Sequence, residues 1–341
     1  GPAKQFKISV GATAEVMGLA KKTYEGEPCI DKVYKDMQEA AAGEYYLCVA
    51  SNVSPHMFGE HCVRPRIIFR MLRKSLACVS NEKEFCNKLH ELDAEIAHSC
   101  ESPKSFTSFL VDQGYGPPQP NPHTCAGKCP CWKPCLKESK RTKCKIHVCT
   151  CNACRQKGGK SCKWAARHAR AWRAESPNLA QGATSFLGMC AERGLDVDKT
   201  VRTPRQRNMA ELVYLECLKK LRCDVFESDA VYDRSQSFGR HALRTDGLLP
   251  TIATTSDLFV MRWGTTLSPA QLFTLMGFPY HLYEAAGISR MYRDDVLRRF
   301  IGNTIHPAVF GVCAATLLSL MKAPPNSDDR TDSDSGGDDD D

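Results

Sequence analysis

The chain has 341 residues, 42% of them hydrophobic and 25% charged, with a formal net charge of +7 at pH 7. That is room for two domains and enough apolar content for a packed core. No run of about 20 apolar residues offers a membrane span, and the first twenty residues lack the continuous apolar core of a secretory signal. The charge is uneven: residues 323–341 carry eight Asp against one Arg, which leaves +14 on the remainder. A basic body suits a phosphate-bearing partner.

In chain order, residues 14–19 read as an apolar loop leading into a helix. Residues 45–50 and 63–71 are rich in aromatic and β-branched types between turn signals, which predicts strands. Phe85, Leu89, Leu92 and Ile96 recur at helical spacing, so 82–97 is predicted helical. The Gly- and Pro-rich segment 114–122 is a linker. Met209, Leu212, Val213, Cys217 and Leu221 mark another amphipathic helix. Residues 258–263 predict a strand, and 269–276, 293–300 and 307–321 predict helices. The Asp-rich tail, 323–341, is too polar to bury a core and is expected to be disordered.

Nineteen cysteines are present, and nine of them fall between Cys125 and Cys162. They are Cys125, Cys129, Cys131, Cys135, Cys144, Cys149, Cys151, Cys154 and Cys162, with His147 among them. Thiolates this close can converge on one ion, and Zn²⁺ takes four sulfur or nitrogen ligands tetrahedrally. A disulfide framework is the alternative. It needs an oxidising compartment, and the absence of a secretory signal favours metal in a reducing one. Between Asn121 and Arg173 stand fourteen Lys and Arg against one acid, Glu138. Trp132, Trp164 and Trp172 are interleaved, a composition that suits nucleic-acid backbone contacts and base stacking.

Three short motifs near the C-terminal end carry a resemblance. They are Leu249-Pro250-Thr251-Ile252, Met276-Gly277-Phe278-Pro279 and Ile301-Gly302-Asn303-Thr304-Ile305. In this order they resemble the end of the cytosine-5 DNA methyltransferases. Upstream, Phe58-Gly59-Glu60-His61-Cys62-Val63-Arg64-Pro65-Arg66 resembles that family's Phe-Gly-x-Pro-Gln-x-Arg-x-Arg segment, with His61 in place of Pro and Cys62 in place of Gln. Ala14-Glu15-Val16-Met17-Gly18-Leu19 resembles its Glu-Asn-Val-x-Gly-Leu element, with Ala14 where the family has Glu and Glu15 where it has Asn.

The resemblance implies a partial doubly wound, Rossmann-like α/β sheet with a Cys-rich zinc-binding insert and helical segments. It implies a catalytic part at 1–113, a basic insert at 114–235 in the place of target recognition, and a return to the catalytic part at 236–322. Arg64, Arg66 and Glu15 are the implied catalytic groups, and the implied S-adenosylmethionine contacts are Gly302, Asn303 and Thr304. DNA is the implied partner and the nucleus the implied compartment. The family's Phe-x-Gly-x-Gly cofactor loop and Pro-Cys-Gln nucleophile loop do not occur in the sequence. Pro28-Cys29 follows the Glu15 element instead of preceding it and is followed by Ile30. The chain is therefore expected to be a C-terminal portion that is inactive alone, with the missing N-terminal half as a possible partner. The rival expectation is a zinc-dependent nucleic-acid-binding protein on a degenerate scaffold.

Overall fold

The structure is a computed structural model that describes residues 10–16, 23–24, 27–41, 43–116, 163–175, 185–287 and 291–323. Its described strands are β1 (Val10–Val16), β2 (Thr23–Tyr24), β3 (Glu27–Pro28), β4 (Tyr45–Val53), β5 (Arg66–Arg73), β6 (Val231–Asp233), β7 (Leu258–Val260) and β8 (Thr265–Thr266). The described α-helices, α1 to α10, are Cys29–Ala41, Glu82–Ser99, Phe106–Asp112, Lys163–Glu175, Phe186–Glu192, Pro204–Glu216, Pro269–Leu275, Tyr280–Ala285, Asp294–Asn303 and Pro307–Ser319. The fold is mixed helix and sheet, with small sheets. Where the strand register is defined, the pairing is antiparallel.

The chain divides into two compact units. The first comprises Gly1–Asn52, Arg66–His98 and Phe310–Asp341. Its sheet has the order β1-β5-β4. Strand β5, Arg-Ile-Ile-Phe-Arg-Met-Leu-Arg, buries four successive residues from Ile67 to Arg70, as a strand covered on both faces does. On one side Leu47, Ile67 and Phe69 pack with Val33, Tyr34 and Met37 of α1. In a second cluster Tyr46, Cys48 and Leu72 meet Phe85 and Leu89 of α2, with Leu317 and Leu320. The helical spacing of Phe85 and Leu89 thus matches the face that is buried. Arg70 is fully buried in this unit, and its guanidinium grips Asp93 of α2 through two hydrogen bonds of 2.8 Å.

The second unit comprises Val53–Pro65 and Ser99–Val309. One of its cores gathers Cys62, Leu249, Ile252, Leu258, Val260, Leu272, Met276, Leu297 and Ile301. Another gathers Phe186, Met209, Val213, Tyr214, Phe226, Tyr232 and Phe259. Helices α6 and α7 start on capping boxes, Thr203 with Gln206 and Ser268 with Gln271, each followed by Pro at the first helical position.

Several element boundaries differ from the sequence expectation by a few residues, and residues 14–16, read as loop, belong to strand β1. The helix expected to continue through Leu221 is α-helical to Glu216 and then turns as a π-helix over Cys217–Leu221. The strand expected over 258–263 stops at Val260. The chain then makes a 3₁₀ turn that ends at Gly264, where φ is +62° and an added Cβ would lie 2.8 Å from Val197. Helix α9, expected to end at 300, runs through Asn303. Together α9 and α10 form a stretch, Asp294–Ser319, long and apolar enough to cross a membrane by length and composition. It is interrupted at Thr304–His306, and Leu297, Ile301, Val309, Cys313 and Leu317 along it are buried.

Candidate functional site

Four segments far apart in sequence meet in the second unit. The segment His61–Arg64 pairs with the Leu249-Pro250-Thr251 segment: Leu249 N–H donates to the His61 carbonyl at 2.8 Å, and Val63 N–H to the Leu249 carbonyl at 2.9 Å. The Cys62↔Leu249 bridge is parallel, and Thr251 Oγ1 donates to the Val63 carbonyl at 2.9 Å. Pro250 has no N–H to give a ladder, so this pairing stays short.

Arg64 then reaches the third and fourth segments. Its side chain is 2% exposed. One terminal nitrogen donates to the Ile301 carbonyl at 3.1 Å and the other to the Gly302 carbonyl at 2.6 Å. The same side chain lies 4.0 Å from Met276 Sδ. Its backbone N–H is held by Ser54 Oγ at 2.8 Å. A cation on the last carbonyls of a helix satisfies groups that the helix leaves unpaired and complements its dipole. Hydrogen bonds from a charged donor contribute about 1.5–3 kcal/mol each. This explains why α9 continues three residues beyond its expected end.

Gly302 has a second reason to be glycine. A Cβ there would lie 2.4 Å from the backbone of Thr254, so the helix end rests directly on the loop after Ile252. Gly302 and Asn303 therefore lie in the last turn of α9, and α10 begins at Pro307. The carbonyl end of a helix favours cations, not an anionic carboxylate. Asn303 is exposed, and Thr304 is partly exposed with its hydroxyl on the Ile305 carbonyl at 3.3 Å.

His306 and Glu60 complete the cluster, and neither is singled out by the sequence patterns. His306 is 2% exposed, with Nε2 3.6 Å from the Glu60 carboxylate. Ala308 N–H donates to its Nδ1 at 3.3 Å. Burial pushes the His306 imidazole down to about 4, with the Arg64 charge adding to the effect, so the ring is neutral near pH 7. Burial raises the Glu60 carboxyl above its ordinary range. Gly277, at φ +72°, packs against the His306 ring, with 3.0 Å between the position of a Cβ and Cε1. His61, the neighbour of Glu60, donates from Nδ1 to the Lys104 carbonyl at 2.8 Å and stacks on Phe109 at 4.2 Å. A buried His before Pro leaves no periodic trace in sequence, which is why His306 escapes a pattern reading.

The other expected residues lie elsewhere. Arg66 begins β5 and belongs to the first unit, whereas Arg64 belongs to the second. The β1–β5 register sets Glu15 opposite Ile67 and Val16 opposite Arg66, so the backbones of Glu15 and Arg66 are neighbours on paired strands. Cys125, Cys129, Cys131, Cys135, Cys144, His147, Cys149, Cys151, Cys154 and Cys162 lie outside the described residues. Among the described residues no group of three or more His, Cys, Asp or Glu is placed to hold a metal ion. Compared with known proteins, the chain matches no family model and no curated protein.

Proposed function

We propose that this chain is the C-terminal portion of a DNA (cytosine-5-)-methyltransferase and that it does not catalyse alone. The observation that carries the reading is the meeting of the four motif segments: Arg64 on Gly302, Val63 on Leu249, and Met276–Gly277 beside Arg64 and His306. Motifs scattered by chance over some 240 residues have no reason to converge on one helix end. On this reading the three-stranded sheet of the first unit is the antiparallel edge of a partial doubly wound sheet.

The residue roles change with the geometry. Arg64 spends its donors on α9 and is a positioning residue. By resemblance Arg66 and Glu15 would hold the cytosine once it has left the duplex, but the β1–β5 register puts these two positions on opposite faces of the sheet, so they do not form one pocket there. S-adenosylmethionine supplies the methyl group in this reaction. Gly302 does not fit a contact to it, because its carbonyl is taken by Arg64 and its Cα face by Thr254. Asn303 and Thr304 remain open to a ligand.

A labelled-cofactor assay on mixed-sequence duplex DNA is expected to stay at background, since no Pro-Cys-Gln loop is present to attack the ring. Turnover that disappears in Cys29→Ser would make Cys29 the nucleophile and overturn this assignment.

The zinc-binding insert is part of the same proposal, and it fits a nuclear, reducing compartment. Protein purified without chelator is expected to hold at least about one Zn²⁺ per chain, with four thiolate or imidazole ligands per ion. A metal-free chain with eight of the nine cysteines between Cys125 and Cys162 paired as four disulfides would replace zinc by a covalent framework. A second reading, a zinc-dependent nucleic-acid-binding protein, is favoured by the structural use of Arg64 together with the missing nucleophile loop. Duplex binding without turnover, even with a complementary N-terminal half supplied, would select it.

A further inference from the structure

Helix α4, Lys163–Glu175, ends the basic run that contains the cysteines, and its described side chains divide sharply by face. His168 is fully buried, and Trp172, one turn on, packs against Met209, Val213 and their neighbours. Arg167, Arg170 and Arg173 are exposed. The helix is locked at this angle. Arg167 donates to Ser237 Oγ at 2.8 Å, and Arg205 of α6 donates to the Ser235 and Gln236 carbonyls at 2.9 and 2.7 Å, so two guanidinium groups hold one turn. Arg240 is exposed on the continuation of that turn, its N–H bonded to the Ser237 carbonyl at 2.9 Å. Among the described residues no carboxylate pairs with Arg170, Arg173 or Arg240.

We propose that the exposed arginines of α4, with Arg240, form a fixed docking row for the phosphate backbone of duplex DNA. From Arg167 to Arg173 the row runs about 9 Å at 1.5 Å per residue. One DNA strand carries a phosphate every 3.4 Å or so of axis, so the row spans two to three phosphates. Cations on a packed helix lose little freedom on binding, unlike those of a loose tail. Trp172 packs against the core, so the exposed face that the described side chains of the helix present is cationic, which suits a phosphate backbone. The duplex as occupant rests on the methyltransferase reading, whereas the cationic row rests on the geometry alone.

The test is a salt titration of the full chain against a fluorescent duplex of about 20 base pairs. Arg170→Gln/Arg173→Gln/Arg240→Gln is expected to lower the slope of log K against log salt by about 2 to 3, at about 0.9 per lost phosphate contact, and to weaken binding tenfold or more at low salt. All three side chains are exposed, so the urea midpoint should not move. Lys83→Gln/Arg222→Gln/Arg299→Gln removes the same charge from other exposed positions and should keep the slope. An unchanged slope in the first variant, or an equal drop in the second, overturns the docking row while leaving the methyltransferase reading untouched. Tighter binding to single-stranded RNA than to the duplex at every salt concentration overturns the occupant, and the DNA partner of that reading falls with it.

Discussion

Gly302→Ala is expected to destabilise the second unit by about 1–3 kcal/mol, although Ala is the better helix former by about 1 kcal/mol. The sign is what makes the experiment decisive. Gly302 lies within α9, so propensity alone predicts a gain. The new Cβ would sit 2.4 Å from Thr254 Cα and N and 2.6 Å from the Ala253 carbonyl carbon. All three are backbone atoms, which cannot rotate away. The helix must shift, and the Gly302 carbonyl leaves the Arg64 guanidinium that holds it at 2.6 Å. A urea titration monitored by circular dichroism reads the loss as a lower midpoint. If Gly302→Ala is as stable as the parent and only cofactor affinity falls, the residue serves the ligand, and the close-approach argument is wrong.

Asp93→Ala should cost the first unit about 3–5 kcal/mol. Arg70 has no exposed surface, and both of its terminal nitrogens bond to the Asp93 carboxylate, with Thr316 Oγ1 a further acceptor at 3.2 Å. Removing one partner of a buried ion pair leaves the other charge in the core, and that residual charge accounts for most of the penalty. Removing both partners is far milder when packing is kept. Arg70→Met/Asp93→Ala is therefore expected to recover much of the stability lost in Asp93→Ala. A loss under about 1 kcal/mol in the single variant, or a double variant weaker than the single, would mean that the pair is solvated and contributes little.

The two substitutions also show where pattern reading reaches and where it stops. The helix at 82–97 was legible because Phe85 and Leu89 repeat every turn on the face that β4 and β5 bury. The helix expected over 269–276 forms as Pro269–Leu275, and the structure shows it started by local hydrogen bonds of Ser268 and Gln271. The order of the motifs was legible as a resemblance because it is a property of the string. In each case the physics is local, within a few residues along the chain.

The role of Arg64 is not local. Its partners lie 237 and 238 positions away, and an arginine that caps a distant helix has the same sequence surroundings as one that meets a substrate. Gly302 next to Asn303 reads as a helix stop, because both residues are common there. Only the packing of α9 on Thr254 shows that the helix continues and that the glycine is a contact surface. His306 is neutral at pH 7 because the fold removes it from water, and no neighbour in sequence announces that burial. Local periodicity and capping chemistry therefore set the elements, while desolvation and contacts between remote segments decided which candidate residues hold the fold and which stay open to a ligand.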